Sequence, residues 1–558
     1  MTRYRWQLLI AVVGVVVILL ILLVQKSPGS RPATAAPQGI RGGKYTEALV
    51  GHLQRLDPLL DSGNQVDRDV DQLIFSGLVG FDAQGRPVPE LAQGWVISKD
   101  ALTYTVILRK DARWQDGTPV TTRDVLFTFG LMQDSNFPGP ADLGQMWRLI
   151  KIQALDDSTV NFTLPEPYAP FLDYLSQGLL PEHLLAGVKA QDLAAQTFNI
   201  APVGTGPFRL DHLITGQNQI TGVVLSPAAN YYGTKPLLSE VDFQYFSSLD
   251  VAFQALRTGQ VMGLGGLTPP MVEEALQLPN LQLFTARLPD LSLVLLNLKN
   301  DGDPFFGIRE VREALLLSLN RERIINMTLA GQAFPAAGPI LPGTWAADPG
   351  LAPASFDPLQ AAQLLDGSGW QLPTSAAPGT DAYVRAKDNK ALQFSLVYPD
   401  DPLHARIAQL IQSQWAGIGA KVALKGVSGS ALLEDYLQPR SFDAALVDFD
   451  LSRYPDPDPY PFWHQTQATS GQNYSQLDDR SISEPLEMAR TNPDPATRAQ
   501  LYRTFQDRFA YEVPAILLWY PTYAYALDVS VRGISLGPLI DASDRLSTLG
   551  QWYLTTSR

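Results

Sequence analysis

The chain is 558 residues long, with 42 Lys+Arg against 56 Asp+Glu, 43 Gly, 43 Pro and no Cys. That length calls for more than one compact unit, and a hydrophobic fraction of 45% with 18% charged residues excludes wholesale disorder. Absent cysteine excludes disulfides, thiolate metal sites, Cys nucleophiles and acylated-Cys anchors, while a net charge of −14 argues against general nucleic-acid binding, which needs cations on phosphates.

The N-terminus reads as an export segment. Arg3 and Arg5 precede an apolar run from Leu8 to Val24, and Lys26 then opens a Ser/Pro/Gly/Ala-rich stretch to Gly43. Basic start, apolar core and small-residue tail follow in the order such segments require. The run exceeds the roughly 7–15 residues of a cleaved signal and falls just short of the about 20 of a full span. Ala33-Thr34-Ala35 offers a cleavage site, but far beyond Val24. An N-terminal transmembrane helix retained as an anchor, with its linker to residue 43, is therefore expected; cleavage is the alternative. Either way the body lies outside the cytoplasm. No acid occurs in residues 1–43, so the acid excess belongs to the body.

In the body, strand and helix signals alternate, punctuated by Pro and Gly. Thr103 to Leu108 alternates as a strand, and Leu291 to Leu298 is an apolar run of strand length. Ile308, Val311, Leu315 and Leu319 have helical spacing, with Arg309 and Glu313 paired at i,i+4. Leu392, Phe394 and Leu396 form a strand; Ile407, Leu410, Ile411 and Trp415 form a helix stopped at Gly417 and Gly419; Val422 to Leu424 opens a strand. Strand–helix–strand implies an α/β fold with a mostly parallel sheet. A helix near 432–437 and a strand from Phe442 to Phe449 follow. Ligands in such sheets sit beyond the carboxyl ends of strands, so Asp450, Ser452, Arg453 and Tyr454 are site candidates. The next stretch holds prolines at 455, 457, 459 and 461, which predicts a stiff loop without helix. Its Asp456 and Trp463 join the candidates, as an ordered loop or as the aromatic wall of a pocket.

No motif demands catalysis, and no metal or cofactor is expected. The histidines, His52, His183, His212, His404 and His464, form no H-E-x-x-H, and neither Gly204-Thr205-Gly206 nor Gly263-Leu264-Gly265-Gly266 completes a nucleotide fingerprint. Asp448 and Asp450 share one side of a strand and mimic a glycosidase pair, although acids at strand ends usually cap or face solvent. His464 reads as a hydrogen-bonded pocket or core residue.

Several stretches, in order, resemble the peptide/nickel-type solute-binding proteins of ABC importers. They are Pro89-Glu90-Leu91-Ala92 through Trp95, Leu102 to Arg109, and Trp114-Gln115-Asp116-Gly117-Thr118-Pro119-Val120-Thr121 with Asp124-Val125 and Phe127-Thr128. Gly204 to Phe208, Asn230-Tyr231-Tyr232-Gly233, Pro304-Phe305 with Val311 to Leu315, Asn320-Arg321, Asp357-Pro358 and Gly369-Trp370 continue the match. The resemblance implies a two-lobed periplasmic-binding-protein-like fold of the large kind with an extra subdomain, and a hinge between the lobes. Lobe one is placed at 44–287 plus 525–558, lobe two at 288–524. It implies a monomeric binding protein, not an enzyme, that traps an oligopeptide-like small solute between lobes and hands it to ABC permease subunits. A carbohydrate or anionic-solute binder of the same fold, a secreted hydrolase and a sensor are the alternatives. Peptide-binding members carry an Asp, pairing with the ligand's amino terminus, where this chain has Arg453. At about 4 Å and an effective dielectric near 20, about 4 kcal/mol of attraction there becomes repulsion. Arg453 thus clamps an acidic ligand group, or else points to solvent or pairs with Asp450 or Asp456.

Overall fold

The computed structural model describes residues 41–216, 219–299, 304–374, 377–452 and 455–555. The expected anchor lies outside these residues, as do Arg453 and Tyr454 of the expected site. Among the described residues no helix is long and apolar enough to cross a membrane.

One strand organises the body. Ala515–Asp528 reads AILLWYPTYAYALD, an almost unbroken apolar run that is buried along most of its length. Its first half pairs antiparallel with Asp290–Leu296, and its second half with Gly263–Gly265 and Leu281–Arg287. From that first half the sheet continues through Ala444–Asp450, Gln393–Pro399 and Lys421–Val427. From the second half it continues through Lys44–Val50, Glu240–Phe246, Gln219–Pro227 and Phe208–Gly216.

The strand–helix–strand unit forms where expected. Gln393–Pro399 and Lys421–Val427 pair in parallel around the helix Pro402–Gly417, which buries Ile407, Ile411 and Trp415. Asp401 caps that helix by accepting the N–H groups of Leu403 and His404, with Pro402 pre-set for the first turn. Gly419, at φ 86°, makes the left-handed exit. The sheet as a whole is mixed, not mostly parallel. Leu281–Arg287 and Asp290–Leu296 run one after the other along the long strand, so the second enters antiparallel with no crossover helix to reverse it. A separate four-stranded antiparallel sheet joins Ala92–Ile97, Thr103–Leu108, Thr159–Thr163 and Lys151–Asp156.

The buried side chains divide along the chain. One cluster draws on residues 45–286 and 523–552, including Trp114, Phe129, Trp147 and Trp552. Two others draw on residues 291–520: Phe305, Phe394 and Trp415 in one, Trp463, Phe505 and Phe509 in the other.

Two of the quoted motifs turn out to hold each other. Gln115 takes the Gly204 N–H on its side-chain oxygen at 2.9 Å and donates to the Phe208 carbonyl at 2.7 Å. Gly204 lies against the end of the helix Gln65–Ile74, where an added Cβ would meet the Ile74 carbonyl oxygen at 1.9 Å. That neighbour is backbone and cannot give way. Gly204→Ala is therefore expected to cost at least about 1–3 kcal/mol, read by urea unfolding; an unchanged midpoint would contradict this packing.

The proline-rich stretch departs from expectation. Tyr460–Trp463 makes one helical turn, with Pro461 in the first turn, where a missing N–H costs nothing.

Candidate functional site

The carboxyl ends of the central strands carry an acidic rim. Asp448 accepts the Ser292 hydroxyl on one oxygen at 2.5 Å and meets His404 Nε2 on the other at 2.9 Å. Asp401 holds the far nitrogen of His404 at 2.5 Å, and Asp448, with Asp401 behind it, keeps this imidazole above its ordinary pKa. Both oxygens of Asp448 are thus engaged, by Ser292 and His404. Asp450 stands opposite Asp290 in register and accepts the Ser452 N–H at 2.8 Å, an Asx turn that ends the strand. Burial, with Asp450 and Asp448 adding repulsion, pushes the Asp290 carboxyl up to about 6. Ser452 is half-buried.

The other two described candidates do not face open space. Asp456 is 7% exposed; Arg498 pairs with it at 2.5 Å, and the Tyr502 hydroxyl donates to it at 3.2 Å. Trp463 is 2% exposed and packs edge-on against Phe509, with ring centres 4.7 Å apart. The wall expected of Trp463 falls instead to Tyr460, because the helical turn sends residue 463 inward.

A cavity of about 500 Å³ opens beside Tyr460. Tyr168, Phe171 and Tyr174 line it from one side, Tyr460 and Arg490 from the other. The first three belong with the cluster of residues 45–286, and Tyr460 with that of residues 291–520, so the cavity sits on the seam between them. Arg490 holds this wall together. Its guanidinium lies 4.4 Å from the Tyr460 ring centre and 5.2 Å from that of Tyr168, while Asp458 pairs with it at 3.1 Å. Its carbonyl accepts the Ala169 N–H at 2.7 Å. Tyr460 in turn stacks flat on His464 at 4.0 Å, and His464, 1% exposed, is fixed by Thr466 and Glu487, each at 2.8 Å. Sequence reasoning misses Tyr168, Tyr174 and Arg490. One signal was available: Pro165-Glu166-Pro167-Tyr168-Ala169-Pro170 is a second proline-rich aromatic stretch, like the one at 454–463.

An aromatic-walled cavity edged by Asp142, Glu166, Glu487 and Arg490 suits a small molecule with both apolar and polar parts. Among the described residues no group of three or more His, Asp or Glu is arranged to hold a metal ion.

Residues 86–472 match the family described as bacterial extracellular solute-binding proteins, family 5 middle. The chain belongs to this family. It is 25% identical over 538 residues to the oligopeptide-binding protein AppA of Bacillus subtilis, covering 95% of both. It is 28% identical over 488 residues to the nickel-binding periplasmic protein of Escherichia coli, covering 85% of this chain and 87% of that one. In fold it is similar to HbpA2 of Haemophilus parasuis, with a TM-score of 0.78 at 21% identity over 92% of this chain and 100% of that one. As a family-5 member it has the mixed α/β periplasmic-binding-protein-like fold and serves as an extracytoplasmic solute-binding component of ABC transport.

Proposed function

We propose that the chain captures an oligopeptide-like solute between two lobes, 44–287 plus 525–558 and 288–524, and delivers it to ABC permease subunits. The single observation that carries this reading is the aromatic cavity, built where segments from separately packed clusters meet. Two chain passages link those clusters, through Arg287 to Asp290 and through the middle of the long strand. Two neighbouring passages suit a hinge that closes on ligand. The apolar segment at 8–24 tethers the body to the membrane in this reading, since no cysteine is present to carry a lipid.

Asp450 and Ser452 shape the solute's polar end, with Arg453 and Tyr454 following them in sequence, while Asp456 and Trp463 hold their loop from beneath. Removing a cavity wall tests the reading. Tyr460→Ala and Tyr168→Ala are each expected to weaken the best-binding peptide about tenfold or more by calorimetric titration, and unchanged affinity in both would place the solute elsewhere.

The binder of an acidic solute is a second reading, favoured by Arg453 in place of the family's amine-pairing Asp. Arg453→Asp is expected to strengthen binding of peptides with a free amino terminus. No change would remove Arg453 as the discriminator.

A further inference from the structure

The seam buries more negative charge than it neutralises. Asp173, Asp456 and Asp458 bring three carboxylates to it, and Arg490 and Arg498 bring two guanidinium groups. Arg498 pairs with Asp456 and attracts Asp173 and Asp458 without pairing with them, while Arg490 pairs with Asp458, which also accepts the Tyr168 hydroxyl at 3.4 Å. Asp173, on the short turn Phe171–Tyr174, pairs with no guanidinium among the described residues. It accepts the Asp456 N–H at 2.7 Å, which brings its carboxyl onto the residue that carries another. Asp173 is 2% exposed and Asp456 7%. Tyr502, which donates to Asp456, adds no cation, and neither does Tyr104, whose hydroxyl donates to the Tyr168 carbonyl.

These residues come from the two sides that the binding reading treats as separate lobes, and the inference rests on that reading. Apart, the Asp173 turn meets water and its carboxyl ionises as an ordinary aspartate. Together, it lies buried beside Asp456, bonded to that residue's N–H, and shares with the Asp456 carboxylate the one guanidinium, Arg498, that attracts both. Two like charges at such a site are relieved when one carboxyl takes a proton. We propose that closure of the seam takes up one proton, held by the Asp173–Asp456 pair, so that solute affinity rises as pH falls. Burial, with the Asp456 charge next, pushes the Asp173 carboxyl up, in the direction this requires.

The sign is fixed by linkage. Where the open form is ionised and the closed form protonated, the dissociation constant rises by up to about tenfold for each unit of pH. Calorimetric titration of the best-binding peptide, in two buffers of different ionisation heat, is expected to show uptake of about one proton in the wild type. Asp173→Asn keeps an oxygen for the Asp456 N–H, and is expected to abolish the uptake and flatten the pH dependence. Binding without proton uptake overturns this inference and leaves the binding reading intact.

A second measurement needs no solute. The chain has no cysteine, and a Cβ added at Gly85 would lie 2.9 Å from the Pro455 Cβ, across the same seam. With a shift of under about 1 Å toward the roughly 3.5–4.5 Å Cβ separation of a disulfide, a Gly85→Cys, Pro455→Cys bridge locks the seam shut. In the bridged protein the carbon-13 signal of the Asp173 carboxyl is expected to titrate well above the ordinary aspartate value of about 3.9, and near that value when the bridge is reduced. An ordinary midpoint in the bridged protein overturns the proposal whatever the titrations with peptide show.

Discussion

Arg545→Leu is expected to lower stability by about 3–5 kcal/mol. Arg545 is 3% exposed and holds two acids that are equally buried, Glu47 at 0% and Asp69 at 2%. It grips Asp69 with two parallel bonds of 2.8 and 2.7 Å, and Glu47 through Nε at 2.9 Å. Glu47 is further satisfied by the hydroxyls of Tyr45 and Tyr525, at 2.7 and 2.6 Å. These bonds tie the C-terminal turn Ala542–Leu546 to the strand Lys44–Val50, the helix Gln65–Ile74 and the long strand. Without the guanidinium, two carboxylates stay in a dry core with no cation. The cost arises from the desolvation of these two acids, which nothing then offsets, more than from the missing hydrogen bonds themselves. Urea unfolding at neutral pH measures it. A loss under about 1 kcal/mol would mean that water reaches this network.

Asp71→Asn is expected to have the opposite sign. Asp57, Asp67 and Asp71 are each 1% exposed, and Asp61 lies half-buried beside them. Asp67 accepts the N–H groups of Gln54 and Arg55, and Asp57 that of Leu59. Both oxygens of Asp71 are buried without a hydrogen-bond partner among the described residues. Burial pushes Asp57 up to about 6 and Asp61 up to about 8, and Asp71 well up, with Asp61 and Asp57 adding repulsion. Below about pH 4 both folded and unfolded chains hold these protons. As pH rises the unfolded chain releases them first, so this cluster lowers stability progressively between about pH 4 and 8. An amide at position 71 cannot ionise. The variant should therefore gain roughly 1–3 kcal/mol at pH 8 and distinctly less at pH 5. Unfolding midpoints at the two pH values decide; equal shifts at both would show that charge is not the cause.

Much of the fold is legible in the sequence because local pattern and tertiary demand agree. Leu392 to Leu424 announces a strand, a helix and a strand by period alone, and Gly417 and Gly419 mark the stop. Mixed pairing is not legible. Nothing local in Leu291 to Leu298 says that it will follow the long strand antiparallel, since a strand buried on both faces shows no period to read. Part of the site is legible for the same reason. Asp450 and Ser452 end a strand that can be seen in sequence. Trp463 reads as part of a ligand wall because the prolines around it argue against helix, yet a proline in the first turn allows one, and that single turn puts Tyr460 at the cavity and Trp463 in the core. Tyr168 and Arg490 lie 322 positions apart in the numbering, and only the fold stacks one on the other. Family resemblance does not help there. Its most recognisable motifs, at Gln115 and Gly204, hold the framework together and do not line the cavity.

The central claim is that this framework closes on a solute. The most direct test is the melting temperature of the full chain, purified in detergent, against pooled peptides, sugars and nickel chelates. A solute at about 100 times its dissociation constant adds about 2.7 kcal/mol to the folded state, which raises the melting temperature by a few degrees. Such a rise is expected with at least one peptide pool. No rise with any pool would contradict closure on a solute.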